Sequence, residues 1–174
     1  MNALSSFIGA AGEREQTVWT PEWVLDAVDK VFPDGWGDPF WSEGSPASTR
    51  SRLRHDLMPC RDAKNAEGHF DRNFRNPPYS ELKDFFPLSA DLWKRYDIQG
   101  VDLVPVRTRR EWWCRAAAGA CVAYLKPVTF LDAKTGLLMK GSMPENMAAI
   151  YWGERKALFT LAFAPHSHHI QQEF

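Results

Sequence analysis

With 174 residues, 44% hydrophobic and 25% charged, the chain suits one globular domain with a real core and is too apolar to be disordered. A formal net charge of −1 excludes bulk attraction to nucleic acid, so such a partner needs a local basic patch. Three cysteines without CxxC spacing (Cys60, Cys114 and Cys121) and no apolar run of the ~20 residues needed to cross a bilayer argue against a disulfide framework, a structural zinc and a membrane partner. These features favour a reducing cytoplasm, and residues 1–12 lack the basic start and apolar run of a signal peptide.

Residues 1–18 read as a loosely ordered arm. Thr20-Pro21-Glu22-Trp23 reads as a helix start, with Thr20 as cap, Pro21 in the first helical position and Glu22 in the first turn. Trp23, Val24, Ala27, Val28 and Val31 recur at helical spacing, and Pro33-Asp34-Gly35 ends the helix. Gly35 to Trp41 is expected to hold a short buried strand ending at Asp38-Pro39, followed by a loop through Pro46. Ser48 to Leu57 fits either a helix or an extended segment. If extended, Arg50, Arg52 and Arg54 share one side, as phosphate contacts or as part of a solvated loop. Phe70 to Asn76 reads as a strand.

Leu82, Phe85, Phe86, Leu88, Leu92, Trp93 and Tyr96 carry helical periodicity, with Pro87 expected to kink or divide the helix and Gly100 to stop it. Val101 to Val106 is an apolar run that suits a strand covered on both faces of a parallel sheet. Asp102 within it reads as a buried functional acid or, in preference, as a residue that caps a nearby loop or pairs with an arginine. Thr108 to Ala118 reads as a helix ended by Gly119. Ala120 to Leu125 and Val128 to Leu131 read as one long strand bent at Pro127, and Ala133 to Pro144 as a connection. Met147 to Trp152 and Ala157 to Phe163 read as further strands, and 165–174 as a polar tail beyond a single domain of 19–164. His166, His168 and His169 lack a carboxylate or cysteine partner, so no metal is expected.

The alternation of strands and helices predicts a doubly wound α/β sheet with helices on both faces and an antiparallel hairpin at one edge. Ligands of such sheets bind beyond the carboxyl ends of the strands, which puts the loops at Asp38, Asn76 and Arg107 on one rim.

The tetrapeptide Asn76-Pro77-Pro78-Tyr79 carries the most specific chemistry. Two prolines fix two φ angles and push the preceding residues out of the helical region, giving a stiff turn. Asn76 supplies an amide with one acceptor oxygen, and Tyr79 a flat aromatic face with a polar tip. Such a loop can stack on a planar group and accept both hydrogens of its –NH₂ on the Asn76 oxygen and the Pro77 carbonyl. That arrangement favours a pyramidal amine whose lone pair points at a methyl donor. An ordinary strand-to-helix turn is the bland alternative. Further along, Arg107, Arg109, Arg110 and Arg115 flank Trp112 and Trp113. They read as phosphate-binding arginines with a stacking tryptophan, or as a solvated helix start with its tryptophans packed inward.

Taken in order, Thr20-Pro21, Asp38-Pro39, Asn76-Pro77-Pro78-Tyr79-Ser80, Val104-Pro105-Val106-Arg107-Thr108 with Trp112-Trp113, and Leu125-Lys126-Pro127 with Phe130 resemble the phage-encoded Dam-type DNA N6-adenine methyltransferases. The resemblance covers 19–153. It implies a Rossmann-like, mostly parallel sheet of the class I S-adenosylmethionine-dependent type, DNA as partner and S-adenosyl-L-methionine as cofactor. It places Asn76, Pro77, Pro78 and Tyr79 in the catalytic loop, and Tyr79, Ser80, Arg107, Arg109, Arg110, Trp112 and Trp113 against the substrate. Thr20, Pro21, Asp38, Phe40 and Asn76 would line the cofactor, with Asp56 as the acid on its ribose and Glu43 and Asp62 as rivals. Phe40-Trp41-Ser42-Glu43-Gly44 stands where the family has a glycine-rich loop. Methyltransferases acting on RNA adenine, cytosine N4 or protein glutamine share the tetrapeptide, and a non-catalytic DNA-binding relative would share the fold. A monomer is the default assembly.

Overall fold

The computed structural model describes residues 18–40, 44–52, 63, 66–77, 79–141 and 145–172. Strand β1 (Val18–Trp19) leads into helix α1 (Glu22–Val31), which buries Val24, Leu25, Ala27, Val28 and Val31. A short α2 (Pro46–Arg50) follows, capped by Ser45, whose hydroxyl accepts from the Ser48 N–H. Then come β2 (Arg72–Arg75), α3 (Leu82–Tyr96), β3 (Gln99–Pro105), α4 (Glu111–Ala117), β4 (Cys121–Leu125) and β5 (Leu131–Asp132). The chain closes with β6 (Met147–Trp152), α5 (Lys156–Phe163) and β7 (Ser167–Gln172).

Five strands form one sheet in the order β2-β3-β6-β4-β7, and β1 pairs with β5 apart from it. Helices cover both faces, and the residues alternate between the faces with the strand period of two. Val101, Leu103, Cys121, Ala123, Met147, Ala149 and Tyr151 join α1 and α5 in one core cluster. Val104, Val122, Ala148, Ile150 and Trp152 join α3 and α4 in the other.

Several elements differ from the sequence reading. The sheet is mixed rather than mostly parallel: β2 and β3 are parallel, whereas β6 lies antiparallel between β3 and β4, and β7 is antiparallel to β4. The cause is that β6 returns through a loop rather than a crossover helix, so its direction reverses. Ala157 to Phe163, expected as a strand, is α5. Its buried Phe159, Ala162 and Phe163 fall at helical spacing. The expected tail is β7, which pairs with β4 from Cys121↔Gln172 to Leu125↔Ser167. Val128 to Leu131 does not prolong β4, because the chain turns away beyond Leu125 and Leu131 pairs with β1.

Gly100 does not stop α3. The helix ends at Asp97, which takes the left-handed conformation (φ 58) and donates its N–H to Leu92 and Trp93 carbonyls. Pro87 is carried inside α3 without dividing it. Among the described residues no helix is long and apolar enough to cross a membrane.

Candidate functional site

The parallel part of the sheet positions the site. Gly37 makes a parallel bridge to Asn73: its N–H reaches the Arg72 carbonyl, and its own carbonyl accepts from the Phe74 N–H, both at 2.9 Å. The expected strand at Gly35 to Trp41 is reduced to this bridge. It still brings Asp38 to the same sheet edge as the ends of β2 and β3. A Cβ at Gly37 would collide with the Phe70 ring, so the approach requires glycine.

Asn76 follows β2 directly. Its Nδ2 donates to the Thr20 hydroxyl at 3.2 Å, while its Oδ1 is buried and accepts no hydrogen bond. Thr20 is 4% exposed and does not cap α1. Pro21 occupies the capping position instead, one residue earlier than expected, and its carbonyl accepts from the Val24 N–H at 3.0 Å. The threonine hydroxyl is therefore spent on the amide of the central loop. Pro77 is buried, and Pro78 lies outside the described residues.

Tyr79 opens a 3₁₀ turn, Tyr79–Glu81, that includes exposed Ser80. The ring is half-buried against the first core cluster, and its hydroxyl is buried. Burial pushes the phenol well above its usual pKa; Glu145 adds to the rise and Arg107 opposes it. Those two residues form a bidentate pair, with Arg107 Nη2 donating to Glu145 Oε1 at 2.7 Å and to Oε2 at 2.6 Å. A cavity of about 620 Å³ opens beside them, lined by Arg107, Thr108, Arg109, Arg110, Glu145 and Asn146. Arg109 and Arg110 are exposed.

Of the two tryptophans of α4, Trp113 departs from the expected substrate role. Trp113 is 2% exposed and packs its ring on Phe86 at 5.5 Å, so it is a core residue. Helical spacing turns it inward while Arg115 stays outside. Trp112 is half-buried and lines a separate groove with Pro87, Asp91, Glu111 and Arg115. Arg115 is held by Glu111 one turn away at 2.5 Å.

Asp38 is 5% exposed. It accepts from the Phe40 N–H at 2.9 Å and from the Ser48 hydroxyl at 3.4 Å. Burial raises its carboxyl to about 7, and these two bonds only partly oppose that. The Phe40 ring meets Phe85 of α3 edge-on at 4.9 Å, tying the Asp38 loop to the opposite helix layer. Asp56 and its rivals Glu43 and Asp62 lie outside the described residues, as does Arg54. Arg50 is engaged by Glu22, Asp26 and Asp29 of α1 rather than held out for phosphate.

Two participants escaped the sequence reading. Glu145 sits in a loop with no pattern around it and is visible only through its arginine. Arg75 is the second: 1% exposed, it donates from Nε to Asp102 Oδ1 at 2.5 Å, and Ser89 of α3 donates to Asp102 Oδ2 at 2.6 Å. Burial raises the Asp102 carboxyl, and Arg75 and Ser89 oppose this. The two charges face each other in the β2–β3 register. A Cβ at Gly100 would strike the guanidinium, which also lies 5.9 Å from the Trp152 ring. Asp102, the one charge in the apolar run of β3, was the available signal, and β2 beside it ends on an arginine.

His166 stacks on Trp23 with ring centroids 4.4 Å apart, while His168 and His169 are exposed on β7. Among the described residues no group of three metal-ligating side chains forms. No family model, curated protein or solved structure matches the chain.

Proposed function

We propose that this chain is an S-adenosylmethionine-dependent methyltransferase that acts on the N6 amine of adenine in DNA, on a Rossmann-like sheet of the class I type. The observation that carries the reading is the half-spent amide of Asn76. Its donor side is fixed by Thr20, and its acceptor side is buried without a partner. A buried acceptor left unmade costs about 1–3 kcal/mol, and an entering amine hydrogen relieves it. The Pro77 carbonyl is the second acceptor, on a turn stiffened by its own ring.

The residues present fit the cofactor. Thr20, Pro21 and Asp38 gather with Asn76 at the sheet edge where open α/β sheets take their ligands. Phe40 flanks them, against α3. A bound S-adenosylmethionine supplies an electrophilic methyl group. The chain's own part is to hold the amine with its lone pair outward. With the cofactor bound, Asn76 and Pro77 would hold the amine in line to take the methyl group from its sulfonium, and the methylated amine would release its proton to water. Positioning of this kind is worth roughly 7–11 kcal/mol of barrier, so no strong base is required.

The test is transfer of labelled methyl to DNA, RNA and protein by the wild type and by Asn76→Ala. DNA is expected to take label on adenine, and Asn76→Ala to lose roughly 10²–10³ in kcat, the cost of removing one preorganised polar group. Cofactor affinity should change little. Undiminished turnover in the variant removes Asn76 from the chemistry, and label confined to RNA or protein reassigns the substrate.

A further inference from the structure

The three arginines that follow β3 are not equivalent. Arg107 is neutralised where it stands, because both of its bonds run from one nitrogen to the two oxygens of Glu145. Arg109 and Arg110 line the same cavity, are exposed, and make no ion pair with any described residue. The cavity is thus polarised. It holds a charge-balanced pair, Arg107 with Glu145, beside two cations that have no ion-pair partner among the described residues.

A nucleotide matches that polarity, being neutral and planar at the base and anionic at the phosphate. The Glu145 carboxylate repels phosphate from its own side of the cavity, and the exposed Arg109 and Arg110 attract it. The backbone of this loop is held for the purpose. Arg110 donates its N–H to the Arg107 carbonyl at 2.7 Å, and Val106 donates to the Asn146 carbonyl at 2.8 Å, which ties the arginine turn to the Glu145 segment.

We infer that this cavity takes a single nucleic acid strand in one orientation, with the base toward the Arg107–Glu145 pair and the flanking phosphodiesters on Arg109 and Arg110, while Glu145 withholds Arg107 from phosphate. The inference rests on the proposed nucleic acid substrate and specifies how that substrate is held. It differs from the sequence expectation in that Arg107 is a structural cation, Arg115 is paired with Glu111, and two arginines rather than four set the phosphate affinity.

The salt dependence of binding tests it without any methyl transfer. Fluorescent single-stranded DNA and RNA oligonucleotides of the same sequence are titrated by anisotropy over a range of salt. Each phosphate contact contributes about 0.7 to the log–log slope for a single strand. The Arg109→Gln/Arg110→Gln variant is expected to flatten the slope by about 1.4, the sum of two such contacts. Glu145→Gln uncovers Arg107 and is expected to steepen it by about 0.7, one added contact. Arg95→Gln, on the exposed face of α3, is the control and should leave the slope unchanged. The strand with the larger Arg109/Arg110-dependent slope, DNA or RNA, is the one the cavity takes.

No binding by the wild type at low salt, or a slope that both site variants leave unchanged, overturns the inference. So does a Glu145→Gln slope flatter than wild type. Binding that follows the expected slopes in a protein that transfers no methyl group would leave the cavity assignment standing and sink the methyltransferase reading.

Discussion

The Asn76 amide donates to the Thr20 hydroxyl across 3.2 Å, joining residues 56 apart in the sequence. The bond sets which face of the amide remains for a ligand, since the oxygen is left buried and open. Thr20→Val keeps the shape of the side chain and removes the acceptor. The amide can then rotate, and its donor is left unpaired. A hydrogen bond of this kind is worth about 0.5–1.5 kcal/mol net, so kcat for the proposed methyl transfer should fall roughly 2- to 10-fold. Steady-state kinetics with labelled cofactor checks it. A variant in which KM for DNA rises and kcat holds would place Thr20 outside the amine-orienting machinery.

Arg75 and Asp102 form a fully buried pair directly behind the Asn76 loop. Removing one partner leaves the other charge uncompensated, with only Ser89 to serve Asp102. Arg75→Met should therefore cost about 3–5 kcal/mol of stability, as breaking a buried pair does. Asp102→Leu should cost about as much. The double variant should lose less than the two singles added together, since a well-packed apolar pair replaces a desolvated ionic one. Urea denaturation of the four proteins gives the coupling. Additive losses would show that the two groups do not stabilise each other.

The sequence was legible where a residue's local context and its tertiary role agree. Val101 to Val106 and Met147 to Trp152 are apolar on both faces, and both are strands between helix layers. Asn76-Pro77 sits at a strand end because prolines stop both helix and ladder. The failures came where partners are distant. Gly100 reads as a breaker, yet its place is under the Arg75 guanidinium, and nothing in its neighbourhood announces an arginine 25 positions away. Trp113 shares its charged surroundings with Trp112, and only the helical phase against Phe86 separates core from groove. Thr20 has the composition of a cap and is drawn off by an amide in another element. A polar run broken only by Ile170 made 167–172 look like a tail, because β4's free edge was invisible from the sequence.

That edge gives a third prediction. β7 covers β4, whose Cys121, Val122, Ala123 and Leu125 are buried, and Ile170 packs against the first core cluster. Deleting residues 167–174 uncovers a flat apolar strand, the kind that templates pairing between chains. The truncated protein should have a lower urea midpoint and should scatter light on concentration, whereas Gln171→Ala alone should do neither. A truncated protein that stays monomeric with an unchanged midpoint would mean that β7 adds nothing to the sheet.

The Asp38 carboxyl provides a pH signature with a definite sign. Its folded value of about 7 lies above the ordinary 3.8, because burial disfavours the charge and only Phe40 and Ser48 oppose it. Between those values the folded state binds a proton that the unfolded chain does not. Stability from this group is therefore full below about 3.8 and is lost as pH rises through about 7. The full effect is on the order of 4 kcal/mol. Asp34 and Asp132 work the other way, their carboxyls being held below the usual range, first by an Arg155 hydrogen bond and by the Thr135 backbone respectively. Total stability against pH thus mixes signs, and the difference between wild type and Asp38→Asn isolates this carboxyl. Asparagine keeps an acceptor for the Phe40 N–H and carries no charge. The variant should gain on the wild type steadily as pH rises through the window and hold a constant lead above it. Urea midpoints at a series of pH values measure that lead, and a difference that does not vary with pH would mean that the buried carboxyl never has to ionise in place.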